Sequence, residues 1–249
     1  MSFYEDIHGY YEEIFPAGQS QVSFLTGVLS RGGAARVLDA ACGTGAYARA
    51  LAGAGFMVTG LDFEEAMVRE ARRRAAESGY EDRLHFERGD MRELEGFSAP
   101  FDALLCLGNS LPHLLTDEDI HAFFRGGRKA LRGGGSLLVL QTVNFDRVLG
   151  KKDYRFPVIK NEEKRLTFSR AYSPRPDGLL DFHTELSLEK GGETVRRKNT
   201  VPLKPLLKKE LDAFLRQNGF SSPDYYGSFN FEPWDPDSAA TILVASPAG

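Results

Sequence analysis

Val37-Leu38-Asp39-Ala40-Ala41-Cys42-Gly43-Thr44-Gly45 is the stretch on which the reading of the chain turns. Apolar residues lead into an acid, the acid into a glycine turn, and a helix-compatible run from Ala46 to Ala52 follows at once. Arg36 to Asp39 therefore reads as a short buried strand and Cys42 to Gly45 as a tight loop. Glycine is needed there because the backbone must turn sharply and let a ligand come close. The helix beginning near Gly45 aims free N–H groups at whatever lies above the loop. The pattern is that of a nucleotide-type pocket at the end of a β-strand.

The glycines alone do not say which nucleotide. Gly43-Thr44-Gly45-Ala46-Tyr47-Ala48 also satisfies the G-x-G-x-x-G/A fingerprint of dinucleotide enzymes. Asp39 separates the two: a dinucleotide sets its anionic pyrophosphate against this loop, where a carboxylate repels it. S-adenosyl-L-methionine has no phosphate and carries a sulfonium and an ammonium group, which a carboxylate attracts. It is the expected cofactor, with Asp39, Ala41, Cys42, Gly43 and Gly45 around it.

Met57-Val58-Thr59-Gly60-Leu61-Asp62 is the second strand, again ending in an acid. Asp62 lies where a βαβ unit puts its ribose-binding carboxylate; the competing reading is a cap for the helix that starts at Glu64. Phe63 and Met67, just beyond, count among the cofactor contacts. Leu84 to Arg88 alternates like a strand and delivers Gly89-Asp90-Met91, an acid for the adenine amino group and a methionine for its ring. The fourth strand, Phe101 to Leu107, runs into Gly108-Asn109-Ser110-Leu111-Pro112-His113-Leu114, and chemistry in open α/β sheets sits beyond such strand ends. A helix over Asp117 to Leu131, capped by Thr116, leads to the fifth strand, Ser136 to Thr142.

The flanks differ from this core. Met1 to Phe15 is acidic and aromatic and reads as a helix broken by Pro16, followed by a second helix over Gln19 to Leu29. Tyr4 and Tyr11 are expected near the cofactor and Tyr10 near the substrate. After Asn144, the segments Leu166 to Tyr172, Leu180 to Leu188 and Thr194 to Val201 alternate with period two between turns, as three inserted antiparallel strands. Leu166, Phe168, Arg170 and Tyr172 share one face. Whether the insertion is a lid or an interface is open at this level. Leu206 to Asn218 is a helix; Phe220 to Ser228 and Ala239 to Ala245 are the last strands.

Composition sets the bounds. The 249 residues are 42% hydrophobic and 27% charged, ordinary values for a globular protein. A net charge of -4 argues against a broad nucleic-acid surface, and Arg72-Arg73-Arg74 and Arg196-Arg197-Lys198 read as solvated faces. Two cysteines, Cys42 and Cys106, cannot build a disulfide framework and suit a reducing cytoplasm. No apolar run approaches a membrane span. The expected partner is a small-molecule substrate, with no nucleic acid, membrane or metal, for a monomer or homodimer.

Acids at three successive strand ends, with a reactive loop after the fourth, make the chain resemble the class I S-adenosylmethionine-dependent methyltransferases over Arg36 to Thr142. Leu107-Gly108-Asn109-Ser110-Leu111-Pro112-His113-Leu114 is similar to the Leu-Gly-Asn-Ser-x-x-His-Leu loop of glycine and sarcosine N-methyltransferases. The resemblance implies a Rossmann-like α/β fold: a seven-stranded mixed sheet, last strand antiparallel, with helices on both faces. It implies a single methyltransferase domain over 1–249 with a helical cap at 1–33 and the β insertion at about 150–203. It also implies that Leu107 meets the methionine end of the cofactor, that Gly108, Asn109 and His113 place the substrate amine, and that Asn109 and His113 serve catalysis. One departure stands out. Those enzymes carry an arginine before an Asn-Tyr-Asp segment after the fifth strand, to clamp the amino-acid carboxylate; here Val143 precedes Asn144-Phe145-Asp146. Amino-acid carboxylates are therefore expected to be poor substrates, beneath an aromatic pocket mouth, unless Arg147 or Arg170 takes over. N-methylation of an amine is the leading reading; O-methylation on the same fold and a non-catalytic cofactor-binding module remain open beside it.

Overall fold

The computed structural model describes residues 7–97, 100–151, 153–190 and 193–248. A turn of 3-10 helix over His8–Tyr10 enters α1 (Tyr11–Ile14), and α2 (Gln19–Arg31) leads to β1 (Arg36–Ala40). The glycine loop feeds α3 (Ala46–Gly53), then come β2 (Met57–Asp62), α4 (Glu65–Ala76), β3 (Leu84–Arg88) and β4 (Ala103–Cys106). The reactive loop precedes α5 (Asp117–Ala130), β5 (Leu137–Val143) and α6 (Phe145–Val148). An antiparallel group follows: β6 (Tyr154–Arg155), β7 (Ile159–Asn161), β8 (Leu166–Pro174), β9 (Leu180–Lys190) and β10 (Glu193–Leu203). α7 (Lys208–Gln217), β11 (Asp224–Tyr226) and β12 (Ala240–Ala245) complete the order.

The main sheet has seven strands in the order β11-β12-β5-β4-β1-β2-β3. β1 to β5 are parallel, and β12 runs antiparallel between β5 and β11. Strand alternation sorts the core onto two faces. Leu38, Leu104 and Leu138 pack with Ile120, Phe123 and Phe124 of α5 and Leu211 and Phe214 of α7. Val37, Val58, Leu105 and Val139 pack with Phe24 and Leu25 of α2, Ala48 and Leu51 of α3, and Val68 and Ala71 of α4. Strands buried on both faces must be apolar nearly throughout, which is why β4 has no polar residue and β1 buries Val37, Leu38 and Ala40 with Asp39 as its one buried acid. Asp102 fixes the end of the sheet opposite the loops. It accepts the Ala35 and Arg36 amides at 2.7 and 2.8 Å and pairs with Arg132.

The inserted sheet runs β10-β9-β8-β6, with β7 also on β8. It has its own core, in which Ile7 and Ile14 pack on Leu166, Phe168, Leu186 and Leu188. The helical turns at 7–14 thus rest on the insertion rather than on the main sheet alone.

Three expectations need correction here. The strand over Phe220 to Ser228 shrinks to Asp224–Tyr226, because Phe220 is drawn into a separate bridge with Pro247. The insertion has two further short strands, β6 and β7, around Pro157. Arg72-Arg73-Arg74 is not a solvated face as a whole: Arg72 and Arg73 are exposed, though Arg72 donates to the Phe86 carbonyl, while Arg74 is half-buried and pairs with Glu12 and Glu70. Tyr4 lies outside the described residues.

Candidate active site

The loops at the carboxyl ends of β1, β2, β3 and β4 enclose two adjoining cavities. One, of about 510 Å³, is lined by Asp62, Phe63, Met67, Asp90 and Met91. The other, of about 400 Å³, is lined by Asp39, Cys42, Leu107, Asn109, Val143 and Arg170 among others. Tyr11, Ala41, Gly108, Ser110 and His113 line both, so the cavities meet between the glycine loop and the reactive loop.

The glycine loop is shaped by its packing. Gly43 has φ +57, and a Cβ on it would lie 3.0 Å from the Tyr11 ring. Gly45 has φ +75, and a Cβ there would strike Phe86 at 2.6 Å. Gly43 therefore faces the cavity under Tyr11. Gly45, expected beside the cofactor, lines neither cavity and serves the close approach of α3 to the sheet. Asp62 ties the loop down: its Oδ2 accepts the Gly43 amide at 2.7 Å and its Oδ1 the Glu64 amide at 3.0 Å. Asp62 thus lines the cavity and also bonds at the start of α4.

The carboxylates are in unequal electrostatic states. Asp39 is buried, with one oxygen lacking any hydrogen-bond partner. Burial, and then the charge of Asp62, push its carboxyl up to about 7. Burial pushes Asp62 up to about 6 against its two amide bonds. Asp90 goes the other way: Arg92 donates to both of its oxygens and holds it below the usual carboxylate range. Asp90 thus reaches the cavity wall as half of an ion pair, with fewer lone pairs for an adenine amino group than a free acid has.

The reactive loop is braced on β5. Gln141 accepts the Gly108 amide on its side chain at 2.8 Å, and its carbonyl accepts the Asn109 amide. Asn109 adopts φ +64; its Oδ1 accepts the Val143 amide at 2.9 Å and its Nδ2 donates to the Tyr172 hydroxyl at 3.1 Å. Its amide is therefore largely committed to joining the reactive loop, the main sheet and the insertion. Burial lowers His113 to about 4, so its imidazole is neutral at ordinary pH.

The lining of the second cavity includes Phe15, Phe156, Tyr172 and Phe182, as expected of an aromatic mouth, but Arg170 is there too. Arg147 lines neither cavity. Tyr10, expected near the substrate, also lines neither and packs on the small core of the insertion. Above the loop, Glu12 of α1 accepts from Thr44 and pairs with Arg49 and Arg74. The sequence does not mark Gln141 or Glu12 as site residues, and it marks Tyr172 only as sharing a strand face with Arg170. Gln141 left a trace, as the polar residue inside an apolar strand; the other two are joined to the site only by folding.

Comparison with known proteins agrees with this fold. Residues 37–135 match the family model described as a methyltransferase domain. The glycine/sarcosine N-methyltransferase of Aphanothece halophytica is 28% identical over 221 residues, 88% of this chain and 79% of that protein. Provisionally named methyltransferases of Bacillus subtilis and a Geobacillus species are 39% and 34% identical over 41% and 58% of this chain. The chain spans only 40% and 60% of the length of those two relatives. Among solved structures, a Streptomyces caelestis methyltransferase superposes with a TM-score of 0.84 at 23% identity, covering 100% of this chain and 99% of that one. A Clostridium acetobutylicum S-adenosylmethionine-dependent methyltransferase gives 0.82 at 15% identity, covering both chains fully.

Proposed function

We propose, from the methyltransferase domain matched over residues 37–135 and the shared fold, that the chain is a class I S-adenosylmethionine-dependent methyltransferase and that it methylates the nitrogen of a small-molecule amine. The observation that carries the reading is the pair of adjoining cavities with a buried, unpartnered Asp39 oxygen beside their junction. A carboxylate in that state is stabilised by a cation, and the cofactor carries cations at its methionine end. Asp62, Phe63, Met67 and Met91 would hold the adenosine part, while Asp39, Ala41 and Leu107 would hold the methionine part. Gly43, under Tyr11, lets that ligand approach the backbone.

When bound, S-adenosylmethionine supplies a methyl group already activated by its positively charged sulfur. The chain's own residues then have to align an acceptor and keep water out, and orientation alone can supply about 7–11 kcal/mol in favourable cases. Asn109 acts as a positioning residue, fixing the cavity wall through Val143 and Tyr172. His113, at about 4, is too weak a base to take a proton from an alkylammonium of pKa about 10. It accepts a hydrogen bond from the neutral amine and turns the nitrogen lone pair towards the methyl group. The amine's proton is lost to water on entry, because an unpaired ammonium is disfavoured in the cavity.

The glycine/sarcosine N-methyltransferase relative supports nitrogen as the acceptor atom. The test is calorimetry with S-adenosylhomocysteine, followed by product detection from pooled amines, phenols and acids. Binding together with methylated amines is expected. Methylated phenols alone would move the acceptor to oxygen, and no binding would remove the cofactor assignment. Asp62→Ala should weaken S-adenosylhomocysteine binding by about tenfold or more, the equivalent of one charged hydrogen bond.

A further inference from the structure

Arg170 lies on β8 and lines the acceptor cavity. Its guanidinium carbon sits 4.8 Å from the Phe156 ring centroid and 5.6 Å from that of Phe15. Its Nε is buried with no hydrogen-bond partner, and no carboxylate among the described residues pairs with it. The other arginines around the cleft are engaged: Arg92 with Asp90 and Asp119, Arg49 and Arg74 with Glu12. Aromatic faces attract a cation but offer its N–H groups no in-plane acceptor. A half-buried guanidinium whose Nε is shut off from water and unpartnered costs free energy that a bound anion recovers.

We propose that Arg170 is a carboxylate receptor, presenting its planar N–H fork to a carboxylate that enters the acceptor cavity. A planar fork matches a planar carboxylate through two parallel hydrogen bonds. A single cation with Asp39 on the same cavity wall favours a monoanion over a phosphate dianion. The proposal rests on the methyltransferase reading and reverses the expectation drawn from Val143: the cation absent after β5 is supplied from the insertion. The carboxylate has two sources, an acceptor amine that carries one, or the methionine end of the cofactor.

Titration of wild type and Arg170→Gln with S-adenosylhomocysteine and with its decarboxylated analogue separates the sources. A loss of tenfold or more for S-adenosylhomocysteine, with the analogue unchanged, supports the receptor and assigns the cofactor's carboxylate to it. If S-adenosylhomocysteine binds both proteins alike, the loaded proteins are titrated with amino acids (glycine, β-alanine and larger ones) and the matching amides. Carboxylate-dependent binding lost tenfold or more in Arg170→Gln supports the receptor and assigns the substrate. Arg170→Lys keeps the charge without the fork and should retain part of either affinity; it also serves if the glutamine variant fails to fold. Unchanged S-adenosylhomocysteine affinity with no carboxylate-dependent, Arg170-dependent ligand overturns the proposal. Failure of S-adenosylhomocysteine to bind wild type overturns the cofactor reading instead, so the two failures are distinct.

Discussion

At the residue scale, Asp39 converts burial into a pH response. Its folded value of about 7 lies above the ordinary 3.8, so the folded chain keeps a proton there that the unfolded chain has lost. That contribution to stability is complete below about 4 and is lost as pH rises to about 7, at about 1.4 kcal/mol per pH unit. Asp62 has the same sign; His113, lowered to about 4, has the opposite sign between about 4 and 6.5. A comparison with Asp39→Asn isolates the first effect: urea unfolding should show the variant gaining on the ligand-free wild type from pH 4 to 7 and then levelling off. A constant difference across that range would mean that Asp39 is ionised throughout. Binding a cationic ligand should release a proton near pH 6.5, detectable as a dependence of calorimetric heat on buffer ionisation enthalpy. Asp102, at the other end of the sheet, makes the contrasting case. Its charge accepts two amides and meets Arg132, so Asp102→Ala should cost about 2–4 kcal/mol in urea unfolding with S-adenosylhomocysteine affinity unchanged.

At the element scale, α1 is only four residues long, too short to be stable as an isolated helix. Its position over the glycine loop depends on Glu12, whose carboxylate meets Thr44, Arg49 and Arg74 in a partly buried network. Glu12→Gln removes the charge while keeping the shape. Faster amide exchange over 7–15 and faster release of S-adenosylhomocysteine in stopped flow are expected; unchanged release would mean that α1 does not gate the cleft. The elements themselves divide by legibility. β1, β2, β4 and β5 were readable as short, mainly apolar runs ending in a loop signal and β3 by its alternation, and the acids at three of those ends carried the cofactor assignment. β6 and β7 were not, since strands of two and three residues have no period to detect. Glu12, Arg74 and Arg170 were read as ordinary charges or distant candidates, because their partners lie far along the chain. Val143 marks where the resemblance expects an arginine, and the replacement proposed for it, Arg170, sits on another sheet, a placement that only folding makes.

At the scale of the whole molecule, the site is where two sheets and the N-terminal turns converge. The main sheet supplies the strand-end acids, the insertion supplies Arg170 and Tyr172, and the turns at 7–14 supply Tyr11 and Glu12. Phe168 ties the last two together without touching the cleft. It is fully buried with Ile7, Ile14, Leu166 and Leu186 and lines neither cavity. Phe168→Ala should cost about 3–5 kcal/mol locally through the lost ring and the cavity left behind. The loss should not spread evenly, because regions with separate cores open separately. Amide exchange should accelerate over 7–15 and 159–189, while β1, β4 and β5, whose packing lies in the two faces of the main sheet, keep their protection. S-adenosylhomocysteine should still bind but leave faster, since the residues proposed to hold it stand while Tyr11 and Glu12 are loosened above them. Equal acceleration in both sheets would mean that they unfold as one cooperative unit, and the insertion could then not act as a separately moving cover for the cleft.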